Sequence, residues 1–242
     1  MNKIIFLLIT FIIVTGCGKQ TDKVNESTKQ KPDSITKIEP KRDTIYEEAN
    51  SSKGKNNEVK ILDFSKTSIP SGCDYKGNII EGARWTDKNG ENFLIISQTK
   101  PVTLKEDFRE QYVYAYCYTK PDNKYNSLWS ITDHAQSPCD LHADYLPGTL
   151  EIKDIDGNGI AESTFIYKLD ERCDVSPVAI KLMMHSGSTK LVIRGTTRVN
   201  IGNGQIVGGE KHIDAAFDSA SASLKKYASE KWDAFMKSYK EN

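Results

Sequence analysis

Leu150-Glu151-Ile152-Lys153-Asp154-Ile155-Asp156-Gly157-Asn158-Gly159-Ile160-Ala161-Glu162-Ser163-Thr164-Phe165-Ile166-Tyr167 holds a short, oxygen-rich curl between two alternating runs. Leu150 and Ile152 flank Glu151 on one side. On the other, Thr164 to Tyr167 is β-branched and aromatic. Both flanks repeat with the period of two that strands show, not the 3.6 of a helix. The curl therefore reads as a hairpin turn, and the chain around it as sheet. Gly157 and Gly159 permit the positive φ angles that so tight a curl requires.

Asp154, Asp156, Asn158 and Glu162 stand at relative positions 1, 3, 5 and 9 of the curl, and Ile160 at position 7 offers its carbonyl. Hard oxygen donors in that number suit Ca²⁺, which takes six to eight such ligands. The first six positions match the start of an EF-hand loop. Position 12 is Phe165, however, where that motif needs a bidentate Glu, and the strand-like flanks exclude a helix-loop-helix. The nine residues resemble the loops of integrin-type propeller repeats, in which a β-hairpin turn holds Ca²⁺. A single copy gives no support to a multi-bladed propeller. The reading is a structural calcium site. The alternative is a plain hairpin turn with surface acids.

Outward from this hairpin, alternation recurs in short runs. Trp85 leads through the polar turn Asp87-Lys88-Asn89-Gly90 to Phe93-Leu94-Ile95-Ile96, a hairpin. Tyr112 to Tyr118 and Ser127 to Thr132 predict two further strands, and Val178 to His185 with Lys190 to Arg194 another hairpin around Ser186-Gly187-Ser188. The chain closes differently. Ile213, Phe217, Ala220, Leu224, Ala228, Trp232, Phe235 and Tyr239 recur every three or four residues, the stripe of an amphipathic helix over 213–239 that would cover a sheet face. Alternation also puts Tyr112, Tyr114, Tyr116 and Tyr118 on one side of their strand, packed under that helix or exposed as a sugar-stacking surface. The fold class is α+β, mainly antiparallel β, with residues 58–242 forming a single domain and a long C-terminal helix.

The N-terminus reads as an address. Lys3, an apolar run from Ile4 to Val14 of about 11 residues, and Val14-Thr15-Gly16-Cys17 form a signal sequence ending in a lipobox. The run is short of the roughly 20 residues a membrane span needs. The resemblance to bacterial lipoproteins implies cleavage after residue 16 and lipidation of Cys17. Residues 17–57 are polar and nearly free of large apolar side chains, a linker expected to be disordered. Gly18 follows Cys17 where enterobacterial lipoproteins retained at the inner membrane carry Asp, which points to the outer membrane. The partner this implies is a membrane, held through the lipid. With 33 basic and 33 acidic residues the chain has no net charge, which argues against nucleic acid.

Of five cysteines, four remain once Cys17 is lipidated, and an even set in an exported protein reads as two disulfides. No C-x-x-C pair suggests zinc. If residues pair across the hairpin as Asp154 and Glu162 do, Cys173 falls near Cys139. Cys139–Cys173 with Cys73–Cys117 is therefore the expected one of three connectivities.

No catalytic set stands out. Gly202-Asn203-Gly204 and Gly208-Gly209-Glu210-Lys211 lack a phosphate-loop pattern. His134, His142, His185 and His212 form no close ligand pair, although His142 and Asp144 are placed to line a site. Ser176 precedes Pro177 and belongs to no nucleophile elbow. Triads assemble from distant segments, so an enzyme stays open as the lesser reading.

The block from Asp154 to Glu162, then Phe165-x-Tyr167, Cys173-Asp174-Val175-Ser176-Pro177, Lys181-Leu182-Met183-Met184 and Arg194-Gly195, resembles a family of Bacteroidota lipoproteins often labelled surface polysaccharide biosynthesis protein. The family has no established biochemical activity. The resemblance implies an envelope setting and a link to surface glycans, and it supplies no catalytic residues. Together these readings describe a lipid-anchored binding or assembly factor with a glycan or envelope protein as partner. The alternative is a glycan-active or glycan-assembling enzyme.

Overall fold

Phe93, Leu94, Ile95 and Ile96 are all fully buried, which a strand achieves only when both of its faces are covered. Their strand is the middle of a sheet in the computed structural model, which describes residues 58–239. The signal sequence, Cys17 and the linker to residue 57 lie outside the described residues. The first sheet is antiparallel throughout and contains β1 (Lys60–Leu62), β2 (Asn78–Asp87), β3 (Gly90–Gln98), β4 (Val102–Thr103), β5 (Arg109–Lys120) and β6 (Asn126–Ser137). β5 bonds β3 and β4 along one edge and β6 along the other. The second sheet follows with β7 (His142–Tyr145), β8 (Glu151–Lys153), β9 (Glu162–Asp170), β10 (Ala179–Ser186) and β11 (Thr189–Thr196). A separate hairpin of β12 (Arg198–Asn200) and β13 (Ile206–Gly208) interrupts it before β14 (Lys211–Ile213) pairs with β11. A 3-10 turn, Ala215–Asp218, and helix α1, Ala222–Ser238, complete the chain.

Strand alternation sorts the side chains into three cores. Val113, Ala115 and Cys117 of β5 meet Phe165, Met183 and Val192 between the two sheets. Ile166, Leu182, Met184 and Leu191 face outward from the second sheet, beneath Phe217, Leu224, Ala228 and Trp232. Phe93, Ile95 and Tyr118 face outward from the first sheet, beneath Phe64, Ile69 and Cys73. The fold is thus mainly antiparallel β with one C-terminal helix, as the periodicities implied. The hairpin turns at Lys88-Asn89 and Gly187-Ser188 stand where expected.

Three expectations are corrected. The helix does not begin at residue 213. Ile213 is extended in β14 and pairs with Ile193 of β11, and Phe217 lies in the 3-10 turn. Asp214 caps that turn by accepting from Ala216 N, and Ser221 is extended at ψ 144 before α1 starts. The Asp214 side chain competes for the local backbone in this way and favours a turn over a continuous helix. The apolar spacing persists across the break because turn and helix cover the same sheet face.

The second correction concerns the cysteines. Cys139 and Cys173 form a disulfide with Cα atoms 5.1 Å apart. Cys73 and Cys117 are buried free thiols, so the expected Cys73–Cys117 bond is not formed. Cys117 faces the second sheet while Cys73 packs on the opposite side of the first, with Tyr118, so the sheet itself separates them.

The third concerns the tyrosines, which lie on the outer face of the first sheet while α1 covers the other one. Tyr112, Tyr114 and Tyr116 form a ladder, with ring centroids 5.7 and 6.0 Å apart.

Candidate functional site

The curl between β8 and β9 is organised by its own acids. Asp154 accepts from the backbone N–H groups of Gly157, Asn158 and Gly159 at 2.8, 3.1 and 2.9 Å. Asp156 accepts from Asn158 N, and Asn158 Oδ1 from Ile160 N. Gly157 and Gly159 have φ of 76 and 84°, the left-handed values the turn requires. The curl is docked onto the β2–β3 turn, where Lys88 N donates to Gly159 O and Asp87 accepts from Ala161 N and the Trp85 indole.

Glu162 opens β9 and is fully buried. It accepts from Ile155 N and from the Ser186 hydroxyl, both at 2.8 Å. Burial raises its pKa above the ordinary carboxylate value, and the neighbouring Asp156 and Asp154 raise it further against those two hydrogen bonds. Carboxylate oxygens of Asp154, Asp156 and Glu162 all lie within 4.8 Å of one another. None of the three is paired with a lysine or arginine among the described residues. Three converging carboxylates, one of them buried and destabilised by the others, suit a metal cation. Asn158 and Ile160 sit in the same curl, and the Asn158 side-chain oxygen is already engaged by the backbone.

His142 and Asp144 come together at a different place. His142 Nδ1 stands 3.1 Å from Asp144 Oδ2. Asp144 Oδ1 accepts from the side-chain amides of Gln98 and Gln111, each at 3.3 Å, and Gln111 Oε1 accepts from Ala143 N. Directly across the ladder, Lys168 opposes Asp144 and Asp170 opposes His142. Asp170 is buried, and the Arg172 guanidinium grips it with two hydrogen bonds of 2.8 Å. Burial alone would raise the Asp170 pKa, but Arg172 holds it below the ordinary value. Gln98, His142, Asp144, Lys168, Asp170 and Arg172 line a cleft of about 630 Å³, with Gln111 buried behind Asp144. Glu162 and Asp170 are the two ends of β9, eight residues apart, so the acidic cluster and the cleft are separated by about 26 Å.

The sequence reading missed Gln98, Lys168 and Arg172, which reach the cleft from β3, β9 and the loop after β9, and Gln111 of β5, which braces Asp144 from behind. Only the Asp170-x-Arg172 spacing was a local signal. The remaining histidines lie away from both the curl's acids and the cleft. His134 lies 3.8 Å from Glu110, and His212 stands on β14. His185 is buried and stacks on Trp129 at 3.8 Å, its Nδ1 lacking a hydrogen-bond partner. Ser176 bonds Asp174, and Gly202 to Gly204 form the turn of the β12–β13 hairpin. The tyrosine ladder spends its ring faces on itself, since Tyr112 and Tyr114 are parallel within 4°. With Tyr112 also stacked on His134 and Tyr114 buried, the ladder does not offer the flat faces that sugars stack upon. No protein-family model, no curated protein and no solved structure matches this chain.

Proposed function

We propose that the chain is a lipid-anchored protein of the bacterial cell envelope, on the outer membrane, acting as a binding or assembly factor connected to surface polysaccharide. Its β8–β9 curl holds a structural Ca²⁺. The observation behind the metal is the convergence of Asp154, Asp156 and buried Glu162, none of them ion-paired among the described residues. Asn158 and the Ile160 carbonyl complete the expected oxygen set. Calcium is favoured over magnesium because an irregular, carboxylate-rich loop suits a large ion with many ligands. The ion would supply positive charge to a repulsive cluster and fasten the curl that joins β8 to β9.

Calcium that binds only the folded state must raise its stability. At a hundredfold excess over Kd the gain is about 2.7 kcal/mol. For a domain of this size that corresponds to a rise in Tm of roughly 5 to 10 °C. The wild-type protein is expected to show it at millimolar calcium, and an Asp154→Ala, Asp156→Ala variant is not. An equal shift in both proteins, or none in either, refutes the site.

The enzyme reading draws on one observation, the braced His142–Asp144 pair. Two of the three cleft carboxylates, Asp144 and Asp170, are committed to fixed partners and do not offer the free acid and base pair that glycoside hydrolysis uses, so binding is the reading the cleft supports better.

A further inference from the structure

We infer that the cleft at the Asp170 end of β9 is the ligand site of the domain and that its ligand is a neutral, hydroxyl-rich molecule, a saccharide segment. The inference rests on the binding-factor reading and is independent of the metal.

The hydrogen-bonding groups of the cleft divide into two sets. Asp170 is committed to Arg172, and Asp144 to His142, Gln98 and Gln111. These fixed pairs set the walls. The second set has no partner among the described residues: the Lys168 ammonium, the Asp140 carboxylate and the His142 Nε2. With them stands Gln98 Oε1, a buried acceptor left without a donor. Buried polar atoms are nearly always bonded, so an orphan in a cleft marks a place where a ligand or water belongs.

The open set asks for donors and acceptors together. Lys168 gives protons only, whereas Asp140 and Gln98 Oε1 accept them. A hydroxyl does both from one atom, and several hydroxyls on a rigid ring meet such a mixture without carrying charge. Ile80, Leu146 and Pro147 supply apolar surface for the C–H face of the same ring. An anionic ligand is disfavoured because Asp140, Asp144 and Asp170 outnumber the fixed cations Lys168 and Arg172.

The test is titration calorimetry of the full-length protein with maltopentaose, isomaltopentaose and mannopentaose, and with trigalacturonate and glycylglycine as charged probes. At least one neutral pentasaccharide is expected to bind with Kd below about 1 mM. Its affinity should not change with salt, since screening acts on charges. Lys168→Ala and Asp140→Ala each remove a hydrogen bond to a charged group and should weaken binding about tenfold with Tm unchanged. Asp156→Asn, about 26 Å away, should leave it intact. Absence of neutral binding up to about 10 mM, or binding by the charged probes alone, overturns the inference. Saccharide binding that survives both cleft substitutions also overturns it, while sparing the binding-factor reading. The calcium site stands or falls separately, on its melting shift.

Discussion

His185 shows how a single residue can set the acid limit of this fold. Burial, reinforced by Lys190, depresses its pKa from 6.5 to about 3, so the folded protein keeps the imidazole neutral. The unfolded chain takes up a proton below pH 6.5 that the folded chain refuses. Stability is therefore undiminished above 6.5 and is lost progressively as pH falls from there towards 3. His185→Phe would keep the stack on Trp129 while removing both the titration and the orphaned Nδ1. Leaving a buried polar atom unsatisfied costs about 1 to 3 kcal/mol. The variant is expected to gain about 1 kcal/mol at pH 7 and more at pH 5, measured by denaturant midpoints. A variant whose acid sensitivity matches wild type would show that another group controls it.

Elements are held by close approaches as much as by apolar area. A Cβ on Gly195 of β11 would lie 1.9 Å from the Glu210 carbonyl oxygen and 2.8 Å from Trp232 Cζ2. The glycine lets the chain before β14 and the indole of α1 close on the sheet together. Overpacking of this kind costs about 1 to 3 kcal/mol, and the backbone oxygen cannot yield as a side chain would. Gly195→Ala is expected to lose at least about 2 kcal/mol in urea unfolding and to weaken α1 docking. A change within about 0.5 kcal/mol would mean that the strand can shift at no cost. The elements also show what the sequence discloses. Hairpins were legible because turn chemistry and alternation are local, as at Asp87 to Gly90. The start of α1 was not, because spacing reports which face is buried and is silent on whether Ile213 reaches that face as strand or helix. The Cys73–Cys117 error has the same origin. Counting gives parity, whereas the face on which Cys117 points depends on which sheet arrives opposite it.

For the whole molecule, the acidic curl was readable since its oxygen-bearing residues lie within nine positions, while the cleft was only half readable. His142 and Asp144 are neighbours in sequence. Gln98 and Gln111 become partners of Asp144 only when the two sheets close. The anchor reading belongs at this scale too. Cys17→Ser is expected to move the protein from the membrane fraction to the soluble fraction of its host, since two or more acyl chains hold a protein stably on a bilayer. A variant that still sediments with membranes would contradict the lipid attachment.

The disulfide has one more implication. Cys139 and Cys173 continue the register in which β7 pairs with β9, with His142 opposite Asp170 and Asp140 N bonded to Arg172 O between them. A slip of one residue would turn the outward side chains of β9 inward, Glu162 and Asp170 together, and would carry the two sulfurs out of reach. The bond is thus compatible only with the aligned strands. A mispaired chain remains a dithiol, open to another attempt, whereas the correctly aligned chain is sealed covalently beside the cleft it serves.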